Sequence, residues 1–289
     1  MPSVKDLRER IRSLKNTQQI TKAMKQVAAA KIRRAEMAQK QARPYADTLS
    51  EMLRDLMNAV SNVDHPFMKP GNANAPMGVI LMTADKGLAG AFNSNVIREG
   101  EIFARRNANV AWYTVGIKAR NAARRMGHAN HPTWILNAPS KIDVAREVAK
   151  QVTDDFINGR ISGITLISSK LISMLSQKPE TRQMVPIVTD ALRQAQGDKE
   201  AKGSLEFSPS PEFVLSRLLP KYLEFTIFSA MLETDAAFFA AQLLAMNNAT
   251  DNAGKLIDEL TIQMNNARQA AITKELLEIV GGAEALVNG

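Results

Sequence analysis

The residues with the clearest chemical promise lie in one short loop. Asp85, Lys86, Gly87, Leu88, Ala89 and Gly90 set a carboxylate, an ammonium and two glycines directly after the apolar run GVILMTAD from Gly78. Nucleotide-binding loops occupy such a place between strand and helix, because backbone N–H groups and a helix N-terminus can cradle phosphate there. The pattern is incomplete: it lacks the three-glycine dinucleotide fingerprint, and Lys86 is not followed by Ser or Thr. Two glycines after a strand are more often a tight turn than a ligand site. Elsewhere the sequence holds no GxSxG, no HExxH and no cysteine, so it has no disulfide framework, thiolate metal site or cysteine nucleophile. His65, His128 and His131 are too scattered to form a metal cluster. The expectation is a chain with no catalytic residues, no metal and no cofactor of its own, with a small nucleotide-binding enzyme as a rival reading.

A second chemistry is basic. Lys22, Lys25, Lys31, Arg33 and Arg34 crowd one stretch without the interleaved aromatics that single-strand binding favours. The formal charge is +8, yet residues 1–43 alone hold twelve Lys/Arg against Asp6, Glu9 and Glu36, which leaves the rest near neutral. The basicity is therefore assigned to one helix. It reads either as a solvated face or as a face that docks against an acidic protein surface; a basic coiled-coil protein that binds nucleic acid or is purely structural is the alternative. Residues 221–289 carry four basic against nine acidic side chains, which complements the N-terminal excess.

The elements that must position these groups are two long helices and a compact middle. Residues 221–280 have no proline and a single glycine, Gly254, and an apolar series returns in steps of three or four through Met246, Ala249, Ala253, Leu256, Leu260, Met264, Ala267 and Ala271, with a parallel row through Ile272, Leu276, Ile279 and Ala283. At about 1.5 Å per residue such a helix outruns any compact core. The first sixty residues lack glycine, and Ser3 with Asp6 resembles a capped start. From Val4, Leu7, Ile11, Leu14, Thr17, Ile20, Met24, Ala28 and Ile32 a similar seam runs on to Val60. The spacing predicts an α+β, α-rich fold: an antiparallel coiled coil of the N- and C-terminal helices, plus a small α/β domain with a mainly parallel sheet. The expected boundaries are 1–74, 75–211 and 212–289. No run approaches 18 apolar residues, and the start MPSVKDLRER has no apolar signal core, so a soluble chain without direct membrane insertion is expected.

Within the middle segment, the runs from Gly78, Val110, Ile164 (ITLISSKLI) and Met184 (MVPIV) read as strands, with a weaker extended piece at Thr133–Leu136. Helices are predicted over Asn93–Asn107, capped by Asn93 or Ser94, and over Ile117–Met126 and Ile142–Ile157. Strand and helix alternate, so at most five strands are expected. The polar stretch Gln194–Ser204 reads as a solvated loop, SPSPE from Ser208 starts the last helix, and Pro220 is expected to kink or interrupt it.

Three stretches, NTQQITKAMKQVAAAKIRRA from Asn16, LMTADKGLAGAFNSN from Leu81 and AMNNATDNAGKLIDELTIQMNNARQAAITKELLEIVGGAEAL from Ala245, resemble the γ subunit of rotary ATP synthase of the bacterial type. The resemblance spans the chain and is specific at both ends and at the Leu81 loop. It implies the central rotating shaft of a proton-translocating ATP synthase, a noncatalytic subunit that couples ion-driven rotation to conformational change at catalytic sites on its partners. Those partners would be three catalytic and three noncatalytic subunits around the shaft, with the ε subunit and the membrane rotor ring at the globular foot. The implied place is the cytoplasmic face of the bacterial inner membrane, held peripherally, with no nucleic acid bound. By similarity, Arg268, Gln269, Thr273 and Glu275 make polar contacts with the catalytic subunits, Ile279, Val280 and Leu286 sit in an apolar sleeve, and Met24 and Lys25 lie across the coiled coil from this region. Two departures stand out. The family's Glu-His-x-x-Arg pattern is replaced by Phe238, Phe239, Ala240, Ala241 and Gln242, and the family's usual cysteine after Gly-Leu is Ala89.

Overall fold

The computed structural model describes residues 3–59, 65–107, 109–187 and 210–287; for residues 54, 57–59, 211, 212 and 281–287 it describes the backbone only. The elements in chain order are α1 (Val4–Ala59), a 3₁₀ turn (Pro66–Met68), β1 (Met77–Met82), α2 (Phe92–Arg106), β2 (Val110–Val115), α3 (Ile117–Arg125), β3 (Thr133–Trp134), α4 (Lys141–Ile157), β4 (Ile164–Ser173), β5 (Ser176–Val185) and α5 (Pro211–Val287). They fall into two compact units, one of residues 1–27 with 243–289 and one of residues 28–242.

The second unit is built on a five-stranded sheet of order β3-β2-β1-β4-β5. Strands β1 to β4 run parallel, and β5 returns antiparallel to β4 with Ser168 paired to Glu180 and Ile164 to Val185. Alternate residues serve opposite faces. Ile80, Met82, Tyr113, Val115, Ile164 and Leu166 pack against Ala145, Val148 and Val152 of α4, Leu53 and Leu56 of α1, and Leu215, Leu219, Leu223, Ile227 and Met231 of α5. Val79, Leu81, Val110, Trp112 and Ile167 pack against Val96 of α2 and Ala119 and Ala123 of α3. Gly100 on α2 makes the second face possible, since a Cβ there would stand 3.1 Å from Leu81 Cδ1.

Three details differ from expectation. The strand read at Met184 begins at Ser176 and forms a hairpin with β4, not a strand reached through a helix. Its first eight residues, SQKPETRQ, are polar because β5 is the sheet edge, where Pro179 also finds its place. Asn93 does not cap α2, which starts at Phe92; its Oδ1 instead accepts the Ala84 N–H at 3.0 Å, and its Nδ2 donates to the Lys86 carbonyl at 3.0 Å. Pro220 does not interrupt α5. A proline inside a helix costs about 3 kcal/mol, but Leu215, Leu219 and Leu223 around it are fully buried, and each offsets about 1.5–3 kcal/mol on the transfer scale. The loop expected over Gln194–Ser204 lies outside the described residues. Ser210, within the SPSPE stretch, accepts the Phe213 N–H at 3.3 Å and so opens α5.

The first unit is an antiparallel helix pair. Gln18 reaches Thr250, Thr21 reaches Thr250, and Lys25 reaches Asn247, so positions rise on α1 as they fall on α5. Ser3 and Asp6 cap α1 reciprocally, with the Ser3 N–H donating to Asp6 Oδ2 at 3.1 Å and the Asp6 N–H to Ser3 Oγ at 3.2 Å. Those bonds hold the exposed Asp6 carboxyl below its usual pKa. Leu7, Ile11, Met246, Ala253 and Ile257 are buried in this pair. Ile20 and Leu256, read as seam residues from their spacing, instead face outward at 60% and 46% exposure, and Thr21 and Ile257 take the inward places. A run of steps of three and four fits two adjacent faces, and the partner helix selects one of them. One window of α5 is long and apolar enough to cross a membrane, but 61% of it is buried within the chain, as in a core helix.

Candidate functional site

The Asp85 loop is closed by its own residues. The Asp85 carboxylate accepts N–H groups from Ile117 at 3.0 Å, Asn137 at 2.8 Å and Leu136 at 3.4 Å. It therefore caps the N-terminus of α3 and ties that helix to the segment after β3. Thr83 Oγ1 accepts the next free N–H of that helix, from Ala119, at 2.7 Å. Gly116 is required here: its φ is +99°, and a Cβ would collide with the Thr83 carbonyl oxygen at 2.1 Å. Leu88 adopts φ +61° and is 64% exposed, so the loop presents an apolar side chain to the outside. The loop's glycines and carboxylate thus serve to join β1, α3 and the segment after β3.

The Phe238–Gln242 departure is also internal. Phe238 and Phe239 are buried with Phe92, Ala84, Ala89 and Ile32, ring against ring at 5.7 Å for Phe92–Phe238 and 5.3 Å for Phe238–Phe239. Lys31 lies 5.3 Å above the Phe239 ring, a cation–π contact. One turn before, Lys141 Nζ donates to Asp235 Oδ2 at 2.8 Å and to the Leu136 carbonyl at 2.8 Å. Burial pushes the Asp235 carboxyl above its usual range, and Lys141 only partly opposes this. Basic charge is not confined to α1. Helices α2 and α3 carry Arg98, Arg105, Arg106, Lys118, Arg120, Arg124 and Arg125 against Glu99 and Glu101, with no ion pair to any of the seven among the described residues. The near-neutral total of the middle segment concealed this patch.

The residues implied as partner contacts divide by register. With Gln18 beside Gly254, Thr21 beside Thr250 and Lys25 beside Asn247, α1 ends opposite the neighbourhood of Arg268. From Arg268 onward α5 has outrun its partner, and every described side chain from Arg268 to Val280 is exposed. Ile272, Leu276, Leu277, Ile279 and Val280 are 49–68% exposed. Leu276, read as a seam residue, thus has no seam in this chain. Arg268 and Glu275 have no ion pair among the described residues; the polar contacts that do form are local, Thr273 Oγ1 to the Gln269 carbonyl at 3.0 Å and Lys274 to Glu278 at 3.6 Å. The Leu286 side chain lies outside the described residues. Met24 and Lys25 are not across from this segment: Lys25 bonds Asn247, some twenty residues or about 30 Å of helix away, and Met24 is its neighbour in sequence. Lys25 is bonded there, and Met24 is half-buried. The arrangement offers guanidinium, amide and carboxylate groups beside a bare aliphatic row, which is the chemistry of a surface that another protein covers.

The ATP synthase family model matches residues 3–286. The chain is 42% identical over 290 residues to the ATP synthase gamma chain of Heliobacterium modesticaldum, covering 99% of this chain and 100% of that one. It is 40% identical over 293 residues to that of Phenylobacterium zucineum, again covering 99% and 100%. Among solved structures, it is similar to a chain of the central stalk and c-ring of Tetrahymena thermophila mitochondrial ATP synthase, with a TM-score of 0.60 and 24% identity over 80% of this chain and 99% of that one. A chain of Euglena gracilis mitochondrial ATP synthase in rotational state 3 gives 0.68 and 19% over 98% and 94%; at such identities the likeness concerns the fold. Full-length identity at this level, together with a helix pair and a sheet unit in the same order along the chain, leads to one conclusion: this chain belongs to the ATP synthase γ chain family.

Proposed function

We propose that this chain is the central rotating shaft of an ion-driven ATP synthase. The observation that carries the reading is the segment Arg268–Val280, a helix that among the described residues has no partner and exposes an aliphatic row beside the charges of Arg268 and Glu275. Enclosed by a ring of three catalytic and three noncatalytic subunits, such a single off-centre helix touches the three catalytic sites unequally. Each angle of the shaft then stabilises a different set of open and closed conformations, so turning it changes nucleotide affinities without the shaft bonding ATP. Arg268, Gln269, Thr273 and Glu275 supply the orientation-dependent polar contacts, while Ile279, Val280 and Leu286 turn in an apolar sleeve. Met24 and Lys25 contact the ring at a separate level of the helix pair. The chain is organised for this as residues 1–74, 75–211 and 212–289, the middle part being the foot on the rotor ring and ε subunit. It is a noncatalytic subunit, held peripherally at the cytoplasmic face of a bacterial inner membrane without itself inserting.

Affinity purification from solubilised membranes tests the reading. Recovery of a complex containing two different nucleotide-binding subunits and ATPase activity is expected. Recovery of nucleic acid alone would overturn it.

A further inference from the structure

The seam of the helix pair contains a polar layer that its apolar pattern does not call for. Thr21 is 8% exposed, and Gln18, Asn247, Thr250 and Gly254 around it are half-buried. The Thr250 hydroxyl lies 2.8 Å from Thr21 Oγ1 and 2.7 Å from the Met246 carbonyl, so its one proton is shared between them. Thr21 Oγ1 donates to the Gln18 carbonyl at 3.0 Å, and Gln18 Nε2 donates across the pair to the Thr250 carbonyl at 3.4 Å. Lys25 Nζ donates to Asn247 Oδ1, and Asn247 Nδ2 donates to Asp251 Oδ2 at 3.1 Å. Gly254, the single glycine of residues 221–280, gives Gln18 its room: a Cβ there would stand 3.1 Å from Gln18 Nε2.

We infer that Gln18, Thr21, Lys25, Asn247, Thr250 and Gly254 form a register lock, which fixes the axial position of α5 against α1 and hence the point at which Arg268–Val280 emerges; the coupling role given to that segment rests on the shaft reading. Above and below the layer the seam is Leu, Ile, Met and Ala in steps of three and four, so a slide of one turn, about 5.4 Å, exchanges one apolar contact for another. The polar layer does not tolerate the slide. In one direction Thr21 would meet Met246, in the other Gln18 would meet Ile257, and a buried hydroxyl or amide would lose its partner. A single polar layer in a long apolar seam is a known way to specify register at some cost in stability. These are positioning residues.

The absence of native cysteine allows a direct test. Leu14→Cys with Ile257→Cys reports the observed register, and Leu14→Cys with Thr261→Cys or Ala253→Cys reports a slide of one turn either way. In the otherwise wild-type chain, purified and in membranes, the first pair should oxidise at least about tenfold faster than the others. With Gln18→Met, Thr21→Val and Thr250→Val that preference should shrink to about threefold or less, whereas Thr21→Ser with Thr250→Ser should keep it. An undiminished preference in the apolar variant overturns the lock, as does a loss in the Ser variant equal to that in the Val variant. Should the apolar variant lose its helical circular dichroism, the Ser variant and Gly254→Ala, which crowds Gln18 without removing a bond, decide. In membranes the apolar variant should assemble in normal yield and lose ATP-driven ion pumping per ATP hydrolysed; undiminished pumping with lost register overturns the link to coupling. If no ATPase complex is recovered at all, the shaft reading falls, while the oxidation rates of the purified chain still decide the lock.

Discussion

Glu233 illustrates what a single half-buried group does in the sheet unit. It lies in a cleft lined by Leu49 and Ser50 of α1, Leu166 and Ser168 of β4, Glu180 and Arg182 of β5, and Tyr222 and Ser229 of α5. Burial, and secondarily the charge of Glu180, pushes its carboxyl above the usual range, while the Leu171 N–H it accepts and the charges of Lys170 and Arg182 pull the other way. Because the folded-state pKa is raised, the group favours the folded state at acid pH, and this contribution is lost as pH rises through the raised value. Glu233→Gln keeps an acceptor and removes the charge. Its melting temperature should match wild type near pH 4 and exceed it by a few degrees at pH 8; equal curves at both pH values would show the carboxyl to be free of the burial penalty. At the exposed end of α5, Arg268→Ala with Gln269→Ala truncates two side chains that are exposed among the described residues. The double variant should assemble in normal yield and pump about tenfold less per complex, since it deletes one charge-assisted and one neutral hydrogen bond to a partner. Pumping at the wild-type rate would make both side chains ordinary solvated residues.

At the scale of elements, α5 is one helix under two regimes. Around Leu223 it is a core element of the sheet unit, whereas Leu276 is 57% exposed among the described residues. Leu223→Ala should therefore destabilise the isolated chain by about 2–5 kcal/mol in denaturant titration. Leu276→Asp should leave that titration within about 0.5 kcal/mol of wild type and yet reduce recovery of the complex from membranes. A large loss of stability in the isolated Leu276→Asp chain would mean that the segment packs on its own protein.

For the whole molecule, protection should follow burial. Amides of β1, β2 and β4, covered on both faces, should exchange slowest in the free chain. Those of residues 268–280, with no second helix beside them, should exchange within minutes, and uniform protection would contradict the separation. The sequence by itself determined the long helices, since sixty residues without glycine and a proline-free stretch from Lys221 leave little else, and it determined the strands whose apolar runs are buried on both faces. It also carried the family, through motifs at both ends and at the Leu81 loop. Of the edge strand β5 only the apolar end at Met184 was legible, because a solvated edge needs no apolar pattern. Which of two adjacent apolar rows forms the seam, and where Met24 and Lys25 stand relative to Arg268, depended on register, and register is set by the partner helix. The Asp85 loop reads as a phosphate cradle or as a tight turn; the tertiary fold decided for the turn by bringing the N–H groups of Ile117, Leu136 and Asn137, far apart from it in sequence, to one carboxylate.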